Sequence, residues 1–79
     1  MKRISVEYIG VIASPNGEKQ AFLEIDDNVK TIKDLLTILG YSEEHQKYII
    51  IKLNDQDAIL ENIVENNCNI TLFLPAGGG

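Results

Sequence analysis

Tryptophan is absent from this 79-residue chain, and cysteine, histidine and methionine occur once each. Cys68 has no second thiol with which to form an intrachain disulfide or cage a zinc ion, a usage that fits a reducing compartment. His45 lies in the polar stretch Ser42, Glu43, Glu44, His45, Gln46 and Lys47, with no second imidazole to build a metal site, so a surface position is expected. Basic residues are scarce as well: seven Lys and Arg stand against twelve Asp and Glu, a net charge of −5. The largest basic cluster is the pair Lys2 and Arg3. Neither the phosphate backbone of nucleic acid nor an anionic membrane surface is therefore an expected partner. No stretch approaches the roughly 20 apolar residues of a membrane span, and the start mixes Lys2, Arg3 and Ser5 with apolar residues, unlike a leader. A cytoplasmic address is the default expectation. Asp55 and Asp57 after Asn54 echo the opening of a calcium loop but lack its glycine and its distal bidentate glutamate, so a plain turn and no metal are expected.

What the chain does have is apolar residues, 44% of the total, in regular patterns. From Lys2, the residues Ile4, Val6 and Tyr8 alternate with Arg3, Ser5 and Glu7, the period of a strand with one buried face. Ile9 and Val11 fall on the other parity around Gly10, and a bulge or bend there would return the core-facing side. Pro15, Asn16 and Gly17 supply a hairpin connection to a second strand from Gln20 to Ile25. Ile32, Leu35, Leu36 and Leu39 then fall at i, i+3, i+4 and i+7, one stripe of a helix. Thr31 is placed to cap its start, Asp34 to meet its free amides, and Gly40 to end it. Tyr48 to Leu53 read as a buried central strand that ends at Asn54 and Asp55. Ala58 to Glu65 fit a helical turn or a packed loop equally well. The last strand runs from Cys68 to Leu74, with Ile70, Leu72 and Leu74 on one face and Thr71 and Phe73 on the other.

Pro75 cannot donate to a ladder and ends that strand. The expected organisation is an α+β domain over residues 1–75, with one main helix across a mixed sheet in the β-grasp order, and a flexible tail over 76–79. A chain this small is marginally stable, by about 4 to 12 kcal/mol, and has little room for an enclosed catalytic cleft, so an enzyme is not expected.

The tail is where chemistry is available. From Asn66 to Gly79 there is no carboxylate, amine or imidazole side chain, and the chain closes on Gly77, Gly78 and Gly79 with a free carboxylate. Fully extended, the four residues after Pro75 reach about 13 to 14 Å, far enough to carry the carboxylate into another protein's active site. Without Cβ atoms the glycines pass a narrow channel. The same composition also describes a frayed end. Phe73, opposite the core-facing residues and beside the tail, is either a docking aromatic or covered by a neighbouring side chain.

The helix segment Thr31, Ile32, Lys33, Asp34, Leu35 and Leu36 with Gly40, the Asn54 to Asp57 turn after an apolar strand, and the terminal Gly78 and Gly79 together resemble the ubiquitin-like sulfur carriers. These are the small subunit of molybdopterin synthase and the thiamine-pathway sulfur carrier. The resemblance extends from the first strand to Gly79. It implies a carrier without catalytic activity of its own, and without a bound cofactor. An E1-like adenylyltransferase would use ATP to join the Gly79 carboxylate to AMP, a sulfur donor protein would convert it to a thiocarboxylate, and a synthase subunit would receive the sulfur for molybdopterin or thiamine. Phe73, Pro75, Ala76, Gly77 and Gly78 would meet these partners. The chain departs from the family pattern in three places. Glu65, Asn66, Asn67 and Cys68 replace a glycine-containing turn, Leu74, Pro75, Ala76 and Gly77 keep half of the motif of the molybdopterin branch, and the stretch between Gly40 and Ile49 leaves little space for a second helix. A ubiquitin-like modifier that forms isopeptide bonds, and a β-grasp binding module with an inert tail, remain as alternatives.

Overall fold

Residues 1–75 are described by the computed structural model. The elements are β1 (Lys2–Gly10), a 3-10 turn (Pro15–Gly17), β2 (Gln20–Ile25), α1 (Ile32–Ile38), α2 (Glu43–Gln46), β3 (Ile50–Leu53), β4 (Gln56–Ala58) and β5 (Asn69–Leu74). Among the described residues the strands form a mixed sheet in the order β2-β1-β5-β3-β4. β1 pairs antiparallel with β2 and parallel with β5, and β3 pairs antiparallel with β5 and β4. The last strand thus lies in the middle of the sheet.

Alternation along the strands decides what is buried. Ile4, Val6 and Tyr8 of β1, Ile70 and Leu72 of β5, and Ile51 of β3 meet Ile32, Leu35 and Leu36 of α1 in one core. Near-complete burial of these side chains is worth about 1.5 to 3 kcal/mol each relative to exposure, the main term holding helix to sheet. The opposite face carries no covering layer among the described residues.

Both ends of α1 have their free backbone groups met. The Thr31 Oγ1 accepts from the Asp34 N–H, and the Asp34 carboxylate accepts from the Thr31 and Lys30 N–H groups, a reciprocal capping box. The N–H groups of Ile32 and Lys33 donate to the Asn62 and Leu60 carbonyls at 3.0 and 2.9 Å. That resolves the Ala58 to Glu65 segment. Beyond β4 it is a packed loop, held because the helix start needs acceptors. At the other end Gly40, at φ 98°, donates to the Thr37 carbonyl, and Tyr41 donates to Leu36, the two bonds of a Schellman stop.

Three expectations are corrected. Tyr48 to Leu53 are not a fully buried strand: β3 begins at Ile50, and Tyr48 and Ile50 are 71% and 46% exposed. The unbroken apolar run arises because Ile49 and Ile51 enter the core while Ile50 lies on the uncovered face. Around Gly10 the core-facing side does not switch. Ile9 and Val11 both stay exposed, and Ile12, of the same parity as Tyr8, packs against the core. The glycine serves a close backbone approach instead. Finally, the short stretch after Gly40 does hold a second helix, the single turn α2, where the Ser42 Oγ accepts from the His45 N–H. The buried Gln46 amide ties that turn to α1 by donating to the Tyr41 carbonyl and the Thr37 Oγ1.

Asn54 and Asp55 join β3 to β4 with φ of 51° and 67°, the two positive values of a tight type I′ hairpin. Asn67, at φ 65°, supplies the turn into β5 where a glycine was lacking.

Candidate functional site

The chain leaves the sheet from the end of β5, and that end is held on both sides. Phe73 pairs with Ile9 of β1 and with Ile50 of β3, and Leu74 pairs with Gly10. The Leu74 carbonyl then accepts a hydrogen bond from the Val11 N–H at 2.8 Å. Pro75 follows as the first residue outside the ladder, as its missing N–H requires. The root of the tail is therefore a fixed point on a central strand.

On the uncovered face of the sheet this geometry sets Ile9, Phe73 and Ile50 side by side across three strands. Phe73 is half-buried, while Ile9 and Ile50 remain 42% and 46% exposed. Glu7, Thr71, Lys52 and Asp55 surround the row. Cross-strand neighbours cover some of the Phe73 ring, and together the three side chains make a continuous apolar strip that ends beside Leu74 and Pro75. Sequence reasoning singled out Phe73 but missed Ile9 and Ile50. Parity alone would have found them, since each falls out of step with its strand's core residues. Phe22, 82% exposed on β2, was missed for the same reason.

Of the other conspicuous side chains, Asp55 borders this strip, while His45, Asp57 and Cys68 do not line it. His45 is exposed on α2, Asp55 is in the β3 to β4 hairpin, and Asp57 is an exposed β4 residue. No group of three or more His, Cys, Asp or Glu among the described residues is placed to hold a metal. Cys68 is buried in the core, and burial pushes its thiol up, which disfavours the reactive thiolate. No helix among the described residues is long and apolar enough to cross a membrane. The expected carrier position Gly79 and the expected partner-contacting residues Ala76, Gly77 and Gly78 lie outside the described residues.

A mixed sheet in this strand order, with α1 across one face and the C-terminal strand in the middle, defines the ubiquitin-like β-grasp class. Small archaeal modifier protein 1 from Haloferax volcanii superposes with a TM-score of 0.74 at 16% identity, over 96% of this chain and 100% of that one. Urm1 from Trypanosoma brucei does so with a TM-score of 0.71 at 14% identity, over 99% and 96%. A third similar structure is the complex of subunits 1 and 2 of molybdopterin-converting factor from Helicobacter pylori, with a TM-score of 0.62 at 26% identity, over 98% and 99%. No curated protein sequence matches the chain. Residues 6–79 match the model of the ThiS family, and the chain belongs to that family.

Proposed function

We propose that this protein is a sulfur carrier that works through its C-terminal carboxylate. The observation that carries the reading is the family match, which runs to Gly79 and so includes the tail together with the strand that anchors it. The geometry at the end of β5 supports it: the tail springs from a fixed root beside an apolar strip, an arrangement suited to docking on a partner while the last residues enter that partner's active site.

The chemistry follows from the carboxylate. A carboxylate oxygen of Gly79 attacks the α-phosphorus of ATP in an E1-like adenylating enzyme, releasing pyrophosphate and leaving an acyl-adenylate. The terminal sulfur of a donor protein's persulfide then attacks the acyl carbon and AMP departs. A thiol cleaves the resulting acyl disulfide, itself becoming part of a disulfide, and the thiocarboxylate is left on the carrier. In this scheme the carrier supplies the carboxylate and its position, AMP is the leaving group, and the catalysis belongs to its partners. A synthase subunit is the proposed acceptor, with a molybdopterin or thiamine precursor as the final destination of the sulfur.

A ubiquitin-like modifier shares the first step, since an acyl-adenylate is also the entry to an isopeptide bond. Intact mass separates the two. Protein isolated with its partners present should carry the replacement of one oxygen by sulfur, and an alkylating reagent should label it at the C-terminus. Recovery of Gly79 joined to lysine side chains, with no thiocarboxylate under any condition, would overturn the carrier reading. Deletion of Gly79 should abolish pyrophosphate exchange and leave thermal melting unchanged, because end residues contribute little to stability.

A further inference from the structure

A second apolar surface reaches the root of the tail, on the face of the sheet opposite the Ile9, Phe73 and Ile50 strip. Val11, Ile12, Tyr41, Tyr48, Leu74 and Pro75 are the main walls of an open groove of about 580 Å³. Its frame is tied together: the hydroxyl of Tyr41, whose N–H makes one bond of the Schellman stop of α1, donates to the Ala13 carbonyl in the loop after β1. Desolvation by burial, with a smaller contribution from Tyr8, pushes the Tyr41 hydroxyl up to about 12, so it stays uncharged well above neutral pH. The lining holds no carboxylate and no ammonium group, and besides Tyr41 its titratable members are His45 and Tyr48. Yet Tyr48 is 71% and Val11 59% exposed, so two large side chains of the groove stand in water.

The position of the groove says what could cover it. Pro75 is one wall, and the four residues from Pro75 to the chain end span at most about 13 to 14 Å. A protein that encloses the Gly79 carboxylate brings its own surface within that distance of Pro75, which sets the groove against the mouth of its active site. A lining without carboxylate or ammonium groups that leaves apolar area in water is complemented by an apolar side chain, whereas a charged one would lose its hydration without gaining an ion-pair partner there.

We propose that this groove receives an aliphatic or aromatic side chain that projects from the adenylating partner beside its channel for the tail, a foothold separate from the strip on the other face. The inference rests on the carrier reading above. Held on both faces at the end of β5, the root could not pivot, and the tail would enter the channel in one direction. That ordering lowers the cost of bringing the carboxylate to its reactive position.

The test is ATP–pyrophosphate exchange by the purified adenylating enzyme of the same organism, with the carrier concentration varied. Tyr48→Ser and Val11→Ser alter exposed side chains and should melt like the parent chain. Each should raise KM for the carrier by about tenfold, the scale of a lost interfacial anchor, with kcat unchanged because the reacting end is untouched. Tyr48→Phe, which keeps the ring, should restore the parent KM. Phe22→Ser, on the far strand, should have no effect. If both serine variants keep a KM within about twofold of the parent while exchange proceeds, the groove proposal is overturned and the carrier reading stands. If the parent chain supports no exchange at all, both fall together.

Discussion

A Cβ atom placed on Gly10 would lie 2.1 Å from the Leu74 carbonyl oxygen, and Gly10 itself adopts φ 87°. The end of the first strand and the root of the tail are thus in backbone contact, with the next residue, Val11, donating a hydrogen bond to the same oxygen. No side chain can occupy that place without moving one strand off the other. The local cost of a glycine here secures the point from which the tail departs.

Substitution at this site should expose the difference between backbone strain and steric exclusion. Gly40, at φ 98°, has nothing within 4 Å of its missing Cβ, so Gly40→Ala meets strain alone. Gly10→Ala meets strain and the Leu74 oxygen. Gly40→Ala is expected to cost about 1 to 2 kcal/mol, and Gly10→Ala at least 1 kcal/mol more, in urea unfolding. Equal costs would show that β1 and β5 are not held together through this contact.

The apolar strip predicts a binding defect that is separable from folding. Phe73→Ala should weaken binding to the adenylating partner by about 1 to 3 kcal/mol in a direct titration, with little dependence on salt. An undiminished affinity, or one that falls steeply with added salt, would place the docking surface among the charged residues instead.

Cys68 should behave as core and not as a sulfur acceptor. Its thiol should react with an alkylating reagent far more slowly in the native protein than in denaturant, because burial raises it above its ordinary value. Cys68→Ala should retain transfer of labelled sulfur to the carrier in a system of adenylating enzyme, ATP and donor. Label lost in Cys68→Ala and retained after deletion of Gly79 would reverse the roles of the two sites.

Two side chains give opposite pH signatures. The Asp34 carboxyl is held below its ordinary value, chiefly by the Thr31 N–H and then by the Lys30 N–H. Its folded form therefore binds protons less readily than the unfolded chain, and its stabilising contribution is present above about pH 4 and lost as the pH falls through the lowered value. Asp34→Ala should lower the melting temperature at pH 7, with a difference that shrinks in acid. Tyr41, pushed up to about 12, works in the other direction. Between its ordinary value and that raised one, the unfolded chain ionises first, so stability should fall as the pH rises from 10 toward 12. Tyr41→Phe should flatten that decline. A variant whose melting temperature keeps the parent's slope over this range would show that other groups govern it.

Local chemistry in the sequence was enough to determine much of this protein. The stripe of Ile32, Leu35, Leu36 and Leu39, the Thr31 and Asp34 start and the Gly40 stop define α1 from within one segment, because helix periodicity and capping act between residues close in the chain. The same holds for the alternating strands and for Pro75 as the end of the last one. The rest depends on neighbours distant in sequence. Ile9 and Ile50 become one surface with Phe73 because β5 inserts between β1 and β3, and Ala58 to Glu65 become a loop because the start of α1 needs their carbonyls. Gly10 was legible as a break in pattern but not as a contact with Leu74, and Tyr48 as part of an apolar run but not as an exposed wall of the groove that Leu74 and Pro75 share. Which face of a strand is covered is set by what packs across it, and that is a property of the assembled sheet and helix.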